Sequence, residues 1–263
     1  MLKNMKKSLP IIKDDPWLQP FAPAIEGRHE DALKKMKELA GKGKLSDFAN
    51  AYNYYGLHRT DNGWTFREWA PNATDIYIVG PFNEWTECEP YRMKRLTDGN
   101  WEINLPERAM AHGDLFKLHV HWNGGWGERI PAYATRVVQD DTTKIFSAQV
   151  WSPEKPYEFK VHDFVPTVDP LLIYECHIGM AQNKEAVGSY EEFRTEVLPR
   201  IVKLGYNAIQ IMAIQEHPYY GSFGYHVSSF YAASSRFGTP EELKHLIDDA
   251  HAHGLAVIMD IVP

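Results

Sequence analysis

Apolar and helical segments alternate through the last third of the chain. Compact apolar runs occupy residues 171–179 (LLIYECHIG), 208–216 (AIQIMAIQE) and 255–263 (LAVIMDIVP), with helical patterns at 189–206 and 239–254. Continuous apolar strands separated by helices are typical of parallel strands that are buried on both faces. The pattern therefore predicts a β-α-β-α-β unit.

Both predicted helices carry residues that begin and end helices. Ser189 is followed three residues later by Glu192, and Thr239 is followed three residues later by Glu242, which is the capping-box spacing. A glycine follows the last turn of each helix, where glycine commonly ends helices.

Glycine spacing separates two folds that begin with this pattern. A doubly wound nucleotide-binding sheet needs a glycine-rich loop after its first strand, and HIGMAQNKEAVGS has the wrong spacing. A TIM (β/α)8 barrel fits better, and three strands leave an open sheet edge, so we expect the barrel to continue beyond Pro263. Barrel chemistry lies at the C-terminal ends of the strands. The polar residues at those ends are Glu175, His177, Gln215, Glu216 and Asp260.

Short β-like runs separated by turn residues fill the middle of the chain. The runs WTFREWAP, DIYIVGPF, NWEINLP, LFKLHVHW and KIFSAQVW alternate with turn signals such as DNG, DGN and NGG. This spacing predicts an all-β, immunoglobulin-like sandwich. Before it, Leu33, Met36 and Leu39 form an apolar stripe that indicates a packing helix. The predicted parts of the chain are a helical segment (1–50), a β-sandwich (51–160) and an incomplete barrel (161–263).

Composition excludes several classes of partner. The formal net charge is −7, whereas proteins that bind nucleic acid need a basic face. The two cysteines, Cys88 and Cys176, have neither disulfide nor metal-type spacing, which favours a reducing compartment. The sequence shows no signal peptide and no run of about 18 apolar residues. We therefore expect a cytoplasmic protein without nucleic-acid or membrane partners.

One long stretch carries a family resemblance. GSFGYHVSSFYAASSRFGTPEELKHLIDDAHAHGLAVIMDIV, at 221–262, resembles the α-amylase superfamily, glycoside hydrolase family 13, through Gly-Tyr, FGT, a helix ending in AH..G and a strand ending in Asp260. With YECHIGM and the segment before Tyr225, it is similar to the front part of the 1,4-α-glucan branching enzymes of that superfamily. REWAPNA, VGPFNEW and DGNWEINLP resemble the carbohydrate-binding module family 48 that precedes their barrel.

The resemblance implies a retaining reaction on α-glucans such as glycogen and amylose. A carboxylate nucleophile and a protonated carboxyl cleave an α-1,4 linkage, and the segment is transferred to a 6-hydroxyl to form an α-1,6 branch. In the family both carboxyls lie on later barrel strands. The resemblance therefore implies that they follow Pro263, that no metal or organic cofactor is needed, and that these residues alone are inactive.

The resemblance also implies substrate-binding residues in the barrel part. Asp260 matches an aspartate that shapes the sugar site, and capping of the next loop is the alternative. Tyr225 matches a tyrosine that stacks on the donor sugar, and packing in the core is the alternative. An aromatic face suits this role because it buries the C–H groups of a pyranose. His226 and either Gln215 or Glu216 lie where further substrate contacts occur, and packing within the loops is the alternative for each.

In the β module, Trp85, Lys117 and Trp126 match positions that bind α-glucan in glycogen-sensing relatives. The alternative for the tryptophans is packing within the protein. His119 and His121 lie on one strand face, but no third ligand stands at a recognisable spacing, so we predict no metal site.

Two other functions are compatible with the sequence. A non-catalytic α-glucan-binding protein would keep the module and lose the barrel, and a debranching or trehalose-forming relative has the same module order. The stretch AIQIMAIQEHPYYGSFGYHV favours a branching enzyme over these relatives.

Overall fold

The computed structural model describes residues 9–166 and 170–262. The chain clusters into two compact units, Met1–Tyr54 and Tyr55–Pro263. The parts of the predicted elements and domains that lie outside the described residues are 1–8, 167–169 and Pro263.

The first unit is helical, as the sequence predicts. Its helices are α1 (Pro10–Asp14), α2 (Ala22–Ala40) and α3 (Leu45–Phe48). The stripe of Leu33, Met36 and Leu39 is exposed, and α2 buries no side chain in the described part of the chain. Within this unit the stripe has no packing partner among the described residues, so its role in packing stays a prediction.

The described residues from Gly56 to Gln149 form nine antiparallel strands. They are β1 (Gly56–Thr60), β2 (Gly63–Trp69), β3 (Ala73–Val79), β4 (Lys94–Arg95), β5 (Asn100–Pro106), β6 (Leu115–Trp122), β7 (Gly125–Arg129), β8 (Val137–Gln139) and β9 (Phe146–Gln149). One sheet has the order β1-β2-β5-β4, and the other has the order β3-β6-β9-β8 with β7 paired to β6. Phe66, Ile76 and Leu118 belong to a buried core that both sheets share, so the predicted β-sandwich is confirmed.

The five predicted runs correspond to β2, β3, β5, β6 and β9. Four strands were missed, and three of them give a weak alternation signal for a physical reason. β4 has two residues and β8 has three, while β7 has no buried residue. Strands that are this short or this exposed show little apolar alternation.

Parallel strands and helices follow the sandwich. The elements are β10 (Ile173–Cys176), α4 (Tyr190–Glu192), α5 (Leu198–Lys203), β11 (Ala208–Ile211), β12 (Gln215–Glu216), β13 (Ser229–Ala233), α6 (Pro240–Ala252) and β14 (Ala256–Met259). β10, β11 and β14 form a parallel sheet in that order. Tyr190, Phe193, Ile209 and Leu246 lie in a second buried core between this sheet and its helices. The predicted β-α-β-α-β unit is confirmed.

Both predicted capping boxes are present. Ser189 Oγ accepts the Glu192 N–H (3.1 Å), and Thr239 Oγ1 accepts the Glu242 N–H (3.2 Å). Each glutamate side chain accepts the N–H of its capping residue in return. These reciprocal bonds satisfy backbone donors that the first helical turn leaves unpaired.

The predicted single strand at 208–216 is wrong. β11 ends at Ile211, and the chain leaves the sheet through Ala213, whose φ is 25°. β12 then pairs antiparallel with β13 in a separate hairpin. The apolar run continues across the break, so periodicity alone does not reveal it.

The predicted helix at 189–206 is continuous but not uniform. A π-helical segment (Phe193–Val197) lies between α4 and α5. Pro199 lies in the first turn of α5 and has no N–H to donate to the preceding turn. Such insertions accommodate residues that disturb the regular ladder.

Within the second unit, α6 and the residue before its cap contact the sandwich. Arg136 Nη1 donates to the Gly238 carbonyl oxygen (2.6 Å), and Trp151 Nε1 donates to the Glu241 carboxylate. Among the described residues, no helix is long and apolar enough to cross a membrane.

Candidate functional site

Polar residues meet at the C-terminal edge of the parallel sheet. Asp260 directly follows β14, and its N–H donates to the carbonyl oxygen of Ile211 at the end of β11 (3.0 Å). On the other side of β11, Glu175 of β10 lies opposite Gln210, whose Nε2 donates to Glu175 Oε1 (3.3 Å). Asp260 and Glu175 therefore lie at the same edge of the sheet, as the strand pattern predicts.

Tyr225 reaches this edge on a loop that depends on a glycine. Gly224 has a φ of 92°, and a Cβ on it would overlap the carbonyl oxygen of Ala213. Ala213 itself has a positive φ, which strains a residue that carries a side chain. The two unusual backbone positions pack against each other and fix Tyr225 beside them.

Tyr225 and Asp260 are hydrogen-bonded. Tyr225 Oη donates to Asp260 Oδ2 (2.8 Å), while 43% of Tyr225 stays exposed. This hydrogen bond, followed by burial and by the charges of Asp260 and Glu175, raises the pKa of Tyr225. The phenol therefore stays protonated at neutral pH, and its ring offers an aromatic face above a fixed carboxylate. We call Glu175, Tyr225 and Asp260 the strand-end site.

Gln215 contacts the chain that follows the strand-end site. Its side chain is buried: Nε2 donates to the Phe230 carbonyl oxygen (3.1 Å), and Oε1 accepts the Val262 N–H (2.8 Å). Because Val262 lies two residues after Asp260, this amide fixes the chain that follows the aspartate. A direct contact between Gln215 and a substrate stays a prediction.

His226 and Glu216 have opposite environments. His226 is exposed, and its ring lies 6.3 Å from the ring of Tyr219. Glu216 is only 1% exposed, and its two oxygens accept the N–H groups of His217 (3.1 Å) and Ser235 (2.7 Å). Glu216 therefore holds the β12–β13 hairpin, whereas His226 is open to solvent.

His177, which follows β10, is enclosed by aromatic rings. The ring centroids of Tyr220, Phe223 and Phe237 lie 5.9, 5.7 and 5.4 Å from its own. Within the described residues, neither ring nitrogen has a hydrogen-bond partner. Burial, followed by the neighbouring His217, lowers the pKa of His177 below its ordinary value of 6.5. The neutral ring therefore supports the loop above it as an apolar group.

We expect His177→Phe to reduce the loss of stability at acid pH. In the unfolded chain His177 takes up a proton below about pH 6.5, whereas the folded site resists it. Below that value the unfolded state therefore binds more protons than the folded state. The free energy of unfolding consequently decreases as the pH is lowered through this window. Denaturant unfolding at about pH 7.5 and about pH 5.5 measures the change. The exposed His162→Phe should keep the wild-type pH dependence, and an equal loss in His177→Phe would contradict this role.

The outer face of β6 forms a second candidate surface. Lys117 Nζ lies 5.9 Å from the centroid of the Trp85 ring and 2.6 Å from Glu128 Oε2. The hydrogen bond from Lys117 outweighs burial and lowers the pKa of Glu128. Since the Lys117 side chain is largely buried and paired, a sugar hydroxyl would compete with Glu128 for its ammonium.

Trp126 lies on the same face, opposite His121 in the β6–β7 register. The rings of His119 and His121 lie 5.0 and 6.0 Å from its ring. His119 Nδ1 (3.1 Å) and His121 Nε2 (2.8 Å) both approach Glu87 Oε1. The shared carboxylate therefore fixes both imidazoles against Trp126. We call Trp85, Lys117, His119, His121 and Trp126 the tryptophan face.

Residues 9–166 and 170–262 contain no cluster of three or more His, Cys, Asp or Glu arranged to hold a metal ion. The two carboxylates that contact the tryptophan face, Glu87 and Glu128, were not predicted. Glu128 could have been predicted from the sequence, because the NGG turn sets the register that places it opposite His119. Glu87 lies in a loop, where periodicity gives no signal.

Two family models match the chain. The first, carbohydrate-binding module 48 (isoamylase N-terminal domain), matches residues 54–134. The second, alpha amylase, catalytic domain, matches residues 184–263.

Two solved structures share the fold. A putative alpha amylase from Salmonella typhimurium has a TM-score of 0.64 at 21% identity, over 79% of this chain and 32% of that chain. A pullulanase from Bacillus acidopullulyticus has a TM-score of 0.65 at 18% identity, over 79% of this chain and 29% of that chain. Together with the family models, these likenesses establish a β-sandwich followed by the start of an amylase-type TIM barrel.

Curated relatives match almost the whole chain at higher identity. The 1,4-alpha-glucan-branching enzyme of Yarrowia lipolytica is 44% identical over 97% of this chain and 38% of its own length. That of Dictyostelium discoideum is 41% identical over 96% of this chain and 38% of its own length. Over almost its whole length the chain is therefore similar to 1,4-alpha-glucan-branching enzymes, and it spans 38% of the length of these relatives.

Proposed function

We propose that this chain supplies the front part of a 1,4-α-glucan branching enzyme that acts on α-glucans such as glycogen and amylose. The observation that carries the proposal is the Tyr225–Asp260 hydrogen bond at the C-terminal edge of the parallel sheet. It lies inside the segment that matches the amylase catalytic domain. C-terminal strand ends are where barrel enzymes place their chemistry.

In this proposal the strand-end site binds the donor sugar. The exposed ring of Tyr225 buries pyranose C–H groups, and Asp260 accepts hydrogen bonds from sugar hydroxyls. Gln215 keeps the backbone after Asp260 in place, and we assign the exposed His226, the residue after Tyr225, to a further contact with the same chain of sugars. The nucleophile and the general acid, about 5 Å apart in retaining enzymes, come from barrel strands outside these residues.

The finer architecture is part of the proposal. We assign residues 51–160 to an immunoglobulin-like glucan-binding module and 161–263 to the first three strands of a (β/α)8 barrel. The residues before 51 form the helical lead. Two carboxyl groups carry out the cleavage and the transfer of the glucan segment. We also assign the protein to the cytoplasm, as the place where glycogen is available to it.

The two alternative functions are less well supported. The pullulanase and amylase likenesses lie at or below 21% identity and concern the fold, whereas the branching-enzyme relatives reach 44% identity. A non-catalytic glucan-binding protein would not need a strand-end site, and Tyr225 and Asp260 form one here.

An iodine-staining assay on amylose tests the proposal. Residues 1–263 alone should leave the colour unchanged, because the proposed nucleophile and acid lie elsewhere. A fusion in which residues 1–263 replace the matching part of the Yarrowia lipolytica enzyme should reduce the colour. Loss of colour with residues 1–263 alone, or a folded fusion without activity, would contradict the proposal.

For the tryptophan face, we expect Trp126→Ala to weaken binding of β-cyclodextrin to the chain by about tenfold, because one aromatic platform is lost. Glu87→Gln should weaken β-cyclodextrin binding less, because it only loosens His119 and His121, which pack against the Trp126 ring. Trp69→Ala is the matched control, since Trp69 and Trp126 are both 56% exposed and Trp69 lies on the other sheet. Calorimetric titration measures the affinities. Equal losses in Trp126→Ala and Trp69→Ala would show that this face has no special role.

A further inference from the structure

A polar crevice of about 410 Å³ lies between the sandwich and the segment that joins β13 to α6. Arg136 and Lys144 line it from the sandwich side, and Arg236 and Ser235 line it from the other side. Neither family model assigns a ligand here, and the crevice is separate from both the strand-end site and the tryptophan face.

The crevice carries more positive than negative charge, although the whole chain carries −7. Its three cations, Arg136, Lys144 and Arg236, face two carboxylates, Asp141 and Glu216. Glu216 spends both oxygens on the backbone N–H groups of the hairpin. The lining alone therefore has one positive charge in excess, which favours an anion, while Glu241 and Glu242 also act on Arg136 from outside the lining.

The guanidinium groups hold more donors than the protein satisfies. Arg136 is buried, and its Nη1 donates to the Gly238 carbonyl oxygen (2.6 Å). Arg236 Nη2 makes only long bonds of 3.3 Å to the carbonyl oxygens of His217 and Pro218. The Nε atoms of both arginines are buried and have no partner among the described residues, so the outer nitrogens of the two guanidinium groups are the ones that can meet a ligand. A ligand rich in acceptor oxygens would complement these forks.

The lining discriminates between an anion and a neutral sugar chain. Glucan sites use aromatic faces, and Phe146 is the only aromatic side chain among the described lining residues. The other polar donors, Gln139 and Ser235, suit the remaining oxygens of the same group. We propose that this crevice binds a phosphate group, carried by inorganic phosphate or by a sugar phosphate. The proposal does not depend on the glucan reaction.

Amide chemical shifts of the chain during titration test the proposal. The probes are inorganic phosphate, glucose 6-phosphate and glucose, at constant ionic strength. Both phosphate probes should shift the amides of Gln139, Ser235 and Arg236 saturably, and glucose should not. Tighter binding of glucose 6-phosphate would identify a sugar phosphate, and equal binding would identify the phosphate group alone.

Lys144→Gln and Arg236→Met should each weaken phosphate binding by about tenfold, since each removes a charged hydrogen-bond donor. Lys144 is exposed, so its variant should fold normally even if Arg236→Met does not. Arg108→Met, at an exposed arginine elsewhere on the sandwich, is the matched control. Equal shifts with glucose, no saturable shifts, or an equal loss in Arg108→Met would overturn the proposal.

Discussion

Gly224→Ala should destabilise the chain by roughly 3 kcal/mol or more, because two costs add at this position. A left-handed backbone costs a residue with a side chain about 1–2 kcal/mol. In addition, the new Cβ overlaps the Ala213 carbonyl oxygen, so the backbone at the end of β11 must move. That movement disturbs the loop that carries Tyr225.

Gly205→Ala separates the two costs. Gly205 has a similar φ of 85°, and no described atom lies within 4 Å of a Cβ built on it. Its substitution should therefore cost only about 1 kcal/mol. Denaturant unfolding of both variants measures the difference. Equal destabilisation would show that the contact between Gly224 and Ala213 does not constrain the loop.

Asp248→Asn should cost about 2–4 kcal/mol of unfolding free energy, since it disrupts a buried cluster of charge-assisted hydrogen bonds. Asp248, in α6, is 1% exposed. Its carboxylate accepts the Tyr157 hydroxyl (2.7 Å) and the N–H groups of Lys160 (2.9 Å) and Val161 (3.0 Å). An asparagine would aim an N–H₂ group at one or more of these donors. The segment after the sandwich would then lose its attachment to α6.

The effect should depend on pH in a defined direction. Burial alone would raise the pKa of Asp248, but the bonds from Tyr157, Lys160 and Val161 outweigh it and lower the pKa. The carboxylate therefore stabilises the fold above its unfolded pKa of about 3.9, and this contribution is lost as the pH falls through the folded value. The variant and the wild type should thus converge in acid.

Unfolding of Asp248→Asn, with the exposed Asp163→Asn as control, measures this effect. Tyr157→Phe should cost about 1 kcal/mol, because it removes one of the three bonds. Limited proteolysis near residue 160 should become faster in Asp248→Asn only. Equal stability of the two asparagine variants would contradict the attachment of this segment by Asp248.

Local sequence signals were sufficient to predict the parallel β-α-β-α-β unit. Each helix begins with a capping box, at Ser189 and Thr239, and each strand is a compact apolar run. The prediction failed at Ala213, where the apolar run continues but the backbone leaves the sheet. Packing against Gly224 decides that position, and such packing is not encoded in the local pattern.

The candidate sites could be predicted from the sequence only in part. Tyr225 and Asp260 were identified from the resemblance, but their hydrogen bond joins residues 35 positions apart and needs the fold. The structure shows that the Gln215 amide binds two backbone groups, while its contact with substrate stays a prediction. The polar crevice was not predicted from the sequence, because Arg136 and Arg236 come from different parts of the chain and neither belongs to a motif.

Linkage counting on amylose tests the central claim most directly. The fusion with the Yarrowia lipolytica enzyme is incubated with amylose, and α-1,4 linkages, α-1,6 linkages and reducing ends are counted by proton NMR. A branching enzyme should gain one α-1,6 linkage for each α-1,4 linkage lost, with the number of reducing ends constant. A rise in reducing ends without new α-1,6 linkages would contradict the claim and indicate hydrolysis.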